Sequence, residues 1–350
     1  MTALPRSTRA VVKARPEPGG LAFVERALPP LDDHDVLIEI RRSAICGTDL
    51  HLFKWNDWAR RNYRPPFPLG HEFAGEVTAV GARVETFAIG DRVTAETHLP
   101  CGQCRQCRMG RAHTCLKLRL FSRMGLGCFA DRTVVPATML RRVPHGISWE
   151  SGAVMEPLGV AVRAASEVPV AGAKVLVTGC GAIGLFAIAA ARALGAASIV
   201  ATDPSDYRRA LATTCGADAA IEPGALRSAS AELSGGDLFD VAIDASGHPA
   251  AIGDALAALN PGGSLVLASL PDGEIPIDLT RHVILREITL RGIYGRRLDA
   301  TWLELERLLA SGRLDPMPVL THALPLERFE EAFALAASGD AGKVSFVPNQ

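Results

Sequence analysis

The sequence lacks a marked excess of charge of either sign. Its 350 residues contain 37 lysines and arginines against 38 aspartates and glutamates, so the formal net charge is −1 with histidine neutral. A nearly neutral chain offers no broad basic surface to nucleic acid and no single-signed surface to a charged partner. We therefore expect no nucleic-acid partner and a function that involves a small molecule.

Long hydrophobic runs are also missing. The longest run, LFAIAAARALGAA from Leu185, is interrupted by Arg192, and it is shorter than the roughly 20 residues that a membrane-spanning helix needs. The first ten residues, MTALPRSTRA, contain basic residues but no apolar stretch of the kind found in secretory signals. These absences predict a soluble, cytoplasmic protein without a membrane partner.

Cysteine is too sparse for a disulfide scaffold, with eight cysteines in 350 residues. Half of them are clustered, in the pattern Cys101-x2-Cys104-x2-Cys107-x7-Cys115. Four thiolates at such spacing can close a loop around a tetrahedral zinc ion and leave no coordination position open. The pattern predicts a structural zinc site. A short zinc knuckle that contacts nucleic acid is the alternative, and the neutral net charge disfavours it.

The predicted secondary-structure pattern of the sequence changes near residue 173. Before it, segments such as EFAGEVTAVG and GDRVTAE have the β-branched, glycine-bounded composition of barrel strands. After it, strands alternate with amphipathic helices, which implies a doubly wound parallel sheet. Beyond about residue 300, two helical stretches, TWLELERLLASG and ERFEEAFALAASG, precede a terminal strand in GKVSFVP. The length of the chain suits two domains.

A glycine loop follows the strand KVLVT and opens a helix. Such a GxGxxG turn lets the backbone approach a pyrophosphate, and the N-terminus of the helix attracts the phosphates. The strand–loop–helix context predicts a dinucleotide site. Its predicted cofactor-binding residues are Gly179, Gly181, Ala182, Ile183 and Gly184.

Asp203 ends the next strand, IVATD, where an acid can accept hydrogen bonds from the adenosine ribose and repel a 2′-phosphate. This placement favours NAD over NADP. Arg208 and Arg209 leave NADP open, because a nearby arginine can receive a 2′-phosphate. Asp203 could also serve as a cap for the helix that begins at SDYRR, and both roles could hold together.

A second metal constellation is dispersed along the chain. It consists of Cys46 in AICGTDLH, His71 and Glu72 in GHE, and Glu156 in MEPLG. Each residue alone fits an ordinary structural role: a buried thiol, a turn histidine or an acid at a helix start. Together they offer one thiolate, one imidazole and one or two carboxylates, as a catalytic zinc with an open position for substrate requires. Asp49 could orient His71 through its second ring nitrogen.

These motifs together resemble the zinc-dependent medium-chain dehydrogenase/reductase family over nearly the whole chain. The cysteine knuckle and GHE are typical of many zinc alcohol and polyol dehydrogenases. The segment WNDWA, the residue His98 before the knuckle, and GIYGR with TW downstream are similar to the L-threonine 3-dehydrogenase branch. The other stretches that carry the resemblance are AICGTDLHLFK, MEPLG, ATDPSDYRR and the terminal GKVSF.

The resemblance implies an α/β architecture in which a GroES-like β-barrel catalytic domain is split around a Rossmann domain. It assigns residues 1–160 and 300–350 to the catalytic domain with two zinc sites, and residues 161–299 to the NAD-binding domain. The active site of the family lies in the cleft between the domains. Family members are commonly tetramers, and otherwise dimers, so we expect a homo-oligomer.

The resemblance also implies roles for individual residues. The implied reaction is the NAD+-dependent oxidation of a secondary alcohol to a ketone, in this branch L-threonine to 2-amino-3-oxobutanoate, with two Zn2+ ions per chain. The implied residues are the catalytic zinc ligands Cys46, His71 and Glu156, with Glu72 as a ligand or exchangeable partner; the proton-relay residues Thr48 and His51; and His98 and Arg296 near the substrate.

One departure from the branch concerns the helix after MEPLG. The run is EPLGVAVRAA, with Val160 and Arg163 where the threonine branch usually has an amide side chain and a histidine. Loss of an amide beside a metal ligand puts the polar contacts to the substrate in doubt. A polyol, an amino sugar or an aminocyclitol is therefore the alternative substrate for the same machinery.

Overall fold

The computed structural model describes residues 4–233, 235–271 and 273–348, and residues 1–3 of the N-terminal segment considered above lie outside this range. The strands are β1 (Ser7–Lys13), β2 (Leu21–Ala27), β3 (Asp35–Ala44), β4 (Phe67–Pro68), β5 (Glu72–Val80), β6 (Arg92–Ala95), β7 (His98–Leu99), β8 (Arg119–Leu120), β9 (Arg132–Pro136), β10 (Leu140–Arg142), β11 (Lys174–Thr178), β12 (Ser198–Thr202), β13 (Ala219–Ile221), β14 (Phe239–Asp244), β15 (Leu259–Leu267), β16 (Thr289–Gly292), β17 (Leu320–Pro325) and β18 (Lys343–Val347).

The helices, in chain order, are α1 (Gly47–Lys54), α2 (Asp57–Asn62), α3 (Arg105–Arg108), α4 (Trp149–Ala153), α5 (Met155–Ser166), α6 (Ala182–Ala193), α7 (Asp206–Thr214), α8 (Leu226–Leu233), α9 (Pro249–Ala257), α10 (Leu279–His282), α11 (Asp299–Ala310) and α12 (Phe329–Ser338). No helix among the described residues is long and apolar enough to cross a membrane.

The chain divides into two units. The barrel unit comprises Met1–Pro157, Leu320–Ser338 and Lys343–Gln350, and the Rossmann unit comprises Leu158–Val319 and Gly339–Gly342. The division differs from the expected boundary at residue 300, because α11 groups with the Rossmann unit. Its first turn is tied to the preceding loop of that unit, where Arg297 N donates to Thr301 Oγ1 at 2.9 Å.

In the barrel unit, β3 is the central strand. The sheet has the order β10-β6-β5-β3-β18-β17, and β9 also pairs with β3. The last strand of the chain thus joins a sheet built mainly from the first part of the chain. The core includes the fully buried rings of Phe129 and Phe346, whose centroids lie 4.9 Å apart. Strand pairing brings the ends of β3, β5 and β18 together, since Ala44 pairs with Ser345 on one side and with Glu72 on the other.

The Rossmann unit contains a parallel sheet in the order β13-β12-β11-β14-β15-β16. The sequence prediction of a doubly wound parallel sheet is confirmed. The strand order reverses beside β11, where β11 pairs with β12 on one side and β14 on the other. A crevice at the carboxyl ends of the strands at such a reversal is where ligands bind in open α/β sheets. The predicted glycine loop follows β11 at this point.

Candidate active site and metal centres

Cys46 lies at the junction between β3 and α1. The carboxylate of Asp49 in the first turn of α1 accepts a hydrogen bond from Cys46 N at 2.9 Å. This local bond satisfies a backbone donor at the start of the helix and fixes the turn that carries the Cys46 thiol. Asp49 is almost fully buried, at 1% exposure, so its first role is structural.

His71 and Glu72 reach Cys46 through strand pairing. Residue Ala44, near the end of β3, pairs with Glu72 at the start of β5. The turn before His71 requires Gly70, because its φ is +83° and a Cβ there would lie 2.4 Å from the ring of Phe129. One ligand atom each from Cys46, His71 and Glu72 then lies within 4.8 Å of the other two. This group is the candidate catalytic metal centre.

The surroundings of His71 fit a bound cation. Its Nδ1 is buried and has no hydrogen-bond partner among the residues that the structure describes; it lies 4.0 Å from Asp49 Oδ1, too far for the expected hydrogen bond. Burial lowers the pKa of His71, but the charge of Cys46, a hydrogen bond that the ring donates to Cys46, and the charges of Asp49 and Glu156 together outweigh burial and raise the pKa well above its ordinary value. A pocket that favours positive charge, with one thiol, one imidazole and one carboxylate, suits zinc.

Lys343 is a charged partner of this group that the sequence analysis did not identify as a site residue. Its Nζ lies 2.7 Å from Glu72 Oε1 and 2.6 Å from Oε2, and the two side chains are 4% and 0% exposed. Burial lowers the pKa of Lys343, but the charges of Glu72, Cys46 and Glu156 outweigh it and raise the pKa. For Glu72, burial is the larger influence and raises its pKa, against the opposite effect of Lys343.

Glu156, predicted as a zinc ligand, lies outside the compact group of ligand atoms. It starts α5 and is 6% exposed. Thr97 Oγ1 donates a hydrogen bond to its Oε1 at 2.7 Å. The carboxylate is close enough for its charge to raise the pKa of His71. Glu156 is thus beside the group, held by Thr97, a residue that the sequence analysis did not single out.

Thr48 and His51 both lie on α1, one helical turn apart and therefore on neighbouring positions of one face. Thr48 is half-buried and His51 is exposed. Asn56 Nδ2 lies 2.8 Å from His51 Nδ1, while Asn56 Oδ1 accepts from Ala59 N at 3.0 Å as the cap of α2. Because the cap fixes the amide orientation, Asn56 donates to His51 Nδ1. The His51 ring is therefore oriented with Nδ1 as an acceptor.

His98 and Arg296 lie in different units. His98 begins β7 in the barrel unit, and its Nδ1 lies 3.1 Å from Glu96 Oε1. Arg296, in the Rossmann unit, is 1% exposed, with its guanidinium carbon 5.9 Å from the centroid of the Trp302 ring. A Cβ on Gly159 would lie 2.7 Å from Arg296 Cδ. The absence of a side chain at Gly159 therefore makes room for this arginine.

The four clustered cysteines are brought together as predicted. The Cys104 and Cys107 sulfurs are 3.5 Å apart, and those of Cys104 and Cys115 are 3.8 Å apart. Four sulfurs arranged tetrahedrally at about 2.3 Å from zinc lie about 3.8 Å from one another. Cys101, Cys104, Cys107 and Cys115 all lack a disulfide, and backbone N–H groups hydrogen bond to the sulfurs of Cys101 and Cys115.

The pKa values within this cysteine cluster differ. Backbone hydrogen bonds lower the pKa of Cys104 to about 6. Desolvation, together with hydrogen bonds among the thiols, raises the pKa of Cys107 to about 12. Only thiolates bind zinc, so binding at this cluster would release protons. The donor set and its spacing fit a closed tetrahedral site.

The three glycines of the cofactor loop are required for different structural reasons. Gly179 has φ of +87°, and a Cβ on Gly184 would lie 1.8 Å from Gly179 O. Gly181 has ordinary φ, caps α6, and would place a Cβ in open space. The first and third glycines thus allow the turn and the close packing of helix and strand, and Gly181 leaves room for a pyrophosphate. Ala182 and Ile183 follow in the first turn of α6.

The carboxylate of Asp203 accepts hydrogen bonds from the glycine loop and from the residue that precedes α7. One oxygen accepts from Cys180 N at 2.8 Å and the other from Ser205 N at 2.9 Å. Ser205 rather than Asp203 caps α7, because its side chain accepts from Arg208 N. A carboxylate has about four acceptor positions, so both oxygens retain capacity for ribose hydroxyls. Arg209 Nη1 donates to Asp203 O at 2.7 Å.

Arg163, one of the departures from the threonine branch, has a structural role within the Rossmann unit. It is 6% exposed, and its Nη1 donates to the carbonyl oxygens of Tyr294 and Gly295 at 2.8 and 3.2 Å. Glu167 accepts from Arg163 at 3.4 Å and from Arg297 at 2.7 Å. Arg163 therefore ties α5 to the segment that precedes Arg296.

Comparison with known proteins agrees with this arrangement. Residues 32–145 match the alcohol dehydrogenase GroES-like domain, and residues 182–311 match the zinc-binding dehydrogenase family. The L-threonine 3-dehydrogenase of Bacillus licheniformis is 40% identical over 343 residues, which cover 97% of this chain and 99% of that protein.

Two solved structures are similar to the whole chain. The 2R,3R-butanediol dehydrogenase of Bacillus subtilis has a TM-score of 0.87 and 27% identity, and covers 98% of this chain and 100% of that chain. A zinc-binding dehydrogenase structure from Sinorhizobium meliloti with NADP bound has a TM-score of 0.88 and 27% identity, with the same coverage of both chains. The fold is therefore shared by a butanediol dehydrogenase and by a zinc-binding dehydrogenase that binds NADP.

Proposed function

The chain belongs to the zinc-dependent medium-chain dehydrogenase/reductase family, near its L-threonine 3-dehydrogenase branch, and we propose that it oxidises L-threonine to 2-amino-3-oxobutanoate with NAD+. The coarser statement, a zinc-dependent alcohol or polyol dehydrogenase, follows from the family. The observation that carries the proposal is the buried group of Cys46, His71 and Glu72. The relative that is 40% identical supports the choice of substrate.

Zinc and NAD+ would occupy separate groups of residues. Cys46, His71 and Glu72 would hold a catalytic zinc ion, with Glu156 as a further ligand, and the four clustered cysteines would hold a structural one. When bound, zinc supplies a Lewis acid that lowers the pKa of a substrate hydroxyl, and NAD+ supplies the acceptor for hydride. The loop Gly179–Gly184 would bind the pyrophosphate of the cofactor.

Two residues of the chain are suited to remove the hydroxyl proton of the substrate. Thr48 is half-buried two residues after Cys46, and its hydroxyl can accept and donate a hydrogen bond at once. His51 is exposed one turn later, so a proton that reaches it can leave to solvent. An imidazole ring can both accept and donate a proton, which suits the last step of a proton relay. We propose Thr48 and His51 as the residues that carry the substrate proton away.

NAD is the proposed cofactor because Asp203 holds a carboxylate next to the glycine loop, where a 2′-phosphate would be repelled. Arg208 is the first basic residue after Asp203, and we propose that it faces the cofactor. The NADP-bound structural relative makes the comparison of both cofactors necessary.

A polyol or aminocyclitol remains the second candidate substrate, and the butanediol dehydrogenase among the structural relatives favours testing it. One of the two departures that raised this alternative now has another explanation, because Arg163 binds backbone carbonyls of its own unit. Val160 is the remaining difference.

The test is NADH formation by zinc-loaded protein with L-threonine, against 2,3-butanediol, hexitols, amino sugars and aminocyclitols. We expect turnover with L-threonine, loss of turnover in Cys46→Ser with NAD+ binding retained, and normal turnover in the matched variant Cys215→Ser. Activity on a polyol alone would transfer the proposal to that class. Turnover in Cys46→Ser equal to the wild type would refute the catalytic metal centre. Light scattering would test the expected tetramer or dimer.

A further inference from the structure

We propose that Asp244 is a positioning residue of the cofactor site, whose buried negative charge also favours the oxidised cofactor over the reduced one. This inference rests on the proposed function, in which the Rossmann unit binds NAD+ at its glycine loop. Asp244 acts through the residues that it holds and through its charge, without a contact of its own to the cofactor.

Asp244 ends the middle one of three neighbouring parallel strands. It is the last residue of β14 and is 0% exposed. It pairs with Thr178 of β11 on one side and with Leu267 of β15 on the other. Thr178 directly precedes Gly179, the first glycine of the cofactor loop. The carboxylate therefore lies at the carboxyl ends of the strands, beside the reversal of strand order where ligands bind.

The carboxylate of Asp244 accepts five hydrogen bonds. Its Oδ1 accepts from Thr178 Oγ1 at 2.8 Å, from Ser246 Oγ at 2.6 Å and from Ser246 N at 3.2 Å. Its Oδ2 accepts from Gly247 N at 3.1 Å and from Ser269 Oγ. Each oxygen thus meets a backbone N–H, which can only donate. Because a carboxylate has about four acceptor positions, Asp244 has no capacity left for a ligand.

The segment after β14 packs directly on the glycine loop. A Cβ on Gly179 would lie 2.7 Å from Ser246 Cα and 2.8 Å from Ser246 N. Ala245 N donates to Thr178 O at 2.8 Å. Asp244 holds both Thr178 and Ser246, so one buried carboxylate fixes the two sides of this contact. A shift of Ser246 would alter the turn at Gly179 that is proposed to receive the pyrophosphate.

The strand order places the charge of Asp244 on the nicotinamide side. Asp203 follows β12 and is proposed to meet the adenosine ribose, and the loop after β11 is proposed to meet the pyrophosphate. A dinucleotide that continues across the reversal would therefore place its nicotinamide half over β14 and β15.

The two forms of the cofactor differ in charge at this end, because the nicotinamide ring is positive in NAD+ and neutral in NADH. Among the residues that the structure describes, all the hydrogen-bond partners of Asp244 are neutral hydroxyl or backbone groups. Its negative charge is therefore countered by dipoles alone and attracts the oxidised ring more than the reduced one.

The same strand supplies a matched control at its other end. Asp240 also connects β14 to both neighbours, since its carboxylate accepts from Lys174 N of β11 at 2.8 Å and from Asn260 Nδ2 of β15 at 3.1 Å. Four residues of strand separate it from Asp244, a distance of about 13 Å. Asp240→Asn thus removes the same charge from the same strand, away from the crevice.

The test measures the dissociation constants of NAD+ and NADH by titration calorimetry of the zinc-loaded protein. In Asp244→Asn, either orientation of the amide points its NH2 at a backbone N–H, so we expect both cofactors to bind more weakly. The loss should be about tenfold greater for NAD+ than for NADH. Asp240→Asn should leave the ratio of the two constants unchanged. An equal loss for both cofactors in Asp244→Asn, or the same change of ratio in Asp240→Asn, overturns the inference.

A second variant retains the charge. Ser246→Ala removes the hydroxyl that links the segment after β14 to Asp244, so we expect NAD+ and NADH to lose affinity alike, about fivefold. Unchanged affinity for both would overturn the positioning role even if Asp244→Asn failed to fold. A wild type that binds neither NAD+ nor NADH would instead refute the proposed function, so the two failures are distinguishable.

Discussion

Replacement of Lys343 by methionine is expected to destabilise the metal-free protein strongly. The Nζ of Lys343 lies 2.6 Å from Glu72 Oε2, and the two side chains are 4% and 0% exposed. Methionine fills a similar volume but leaves the carboxylate of Glu72 buried without its cation. Removal of one partner from a buried ion pair costs about 3–5 kcal/mol, because the remaining charge is uncompensated. We expect a loss of that size in the free energy of unfolding.

The presence of zinc should reduce this loss. Glu72 lies in the group of ligand atoms with Cys46 and His71, so a divalent cation there would restore positive charge next to the carboxylate. Urea denaturation of wild type and Lys343→Met, each with zinc and with chelator, measures the difference in each state. The gap between the two proteins should be wide with chelator and narrower with zinc.

A double-mutant cycle isolates the pair. Glu72→Gln combined with Lys343→Met should cost less than the sum of the single changes, because neither variant side chain is charged. The control is Lys174→Met: this lysine pairs with Asp237 at 3.1 Å on the surface, with side-chain exposures of 28% and 72%, and we expect a loss below about 1 kcal/mol. Additive costs at Glu72 and Lys343, or a metal-free Lys343→Met as stable as the control, would refute the reasoning.

Three further predictions follow from local geometry. Gly184→Ala should lower the free energy of unfolding, because a Cβ there would lie 1.8 Å from Gly179 O. Gly181→Ala should leave the free energy of unfolding unchanged and weaken NAD+ binding, since a Cβ there would meet nothing within 4 Å. Scanning calorimetry measures the stability of both variants, and titration calorimetry measures their affinity for NAD+. Asp203→Asn should raise the KM for NAD+ about tenfold and reduce the ratio of kcat/KM with NAD+ to kcat/KM with NADP+. If this ratio does not change, Asp203 has only a structural role. Burial lowers the pKa of Lys13 from 10.5 to about 8, so between these pH values the unfolded chain binds more protons than the folded one. The free energy of unfolding of the wild type should therefore rise with pH relative to that of Lys13→Met, as urea denaturation measures. A difference in free energy that falls with pH would contradict this sign.

The local motifs were predictable because their residues are close in sequence. The spacing of Cys101, Cys104, Cys107 and Cys115 leads directly to sulfurs 3.5 and 3.8 Å apart. The glycine loop is likewise one turn between β11 and α6, and its steric requirements are set within a few residues. In such segments backbone geometry depends little on distant parts of the chain.

The contacts that hold the candidate catalytic side chains were not predictable. Lys343 pairs with Glu72 across 271 positions of sequence, and nothing near either residue indicates the other. The lysine in GKVSF has a signal only in retrospect, as a charged residue within a strand that is otherwise buried. Arg163 looked like a change near the substrate, but its guanidinium reaches carbonyl oxygens 131 and 132 positions away.

The sequence by itself determined the two folds, the cysteine cluster, the glycine loop and the identity of the side chains able to bind zinc, because each depends on local pattern or residue chemistry. Only the tertiary structure decided which of these side chains meet and what holds them. It places Glu72 against Lys343, Glu156 against Thr97 and His98 against Glu96. The reason is physical: the charge state and orientation of a buried polar group depend on the partners that strand pairing and packing bring within hydrogen-bond distance.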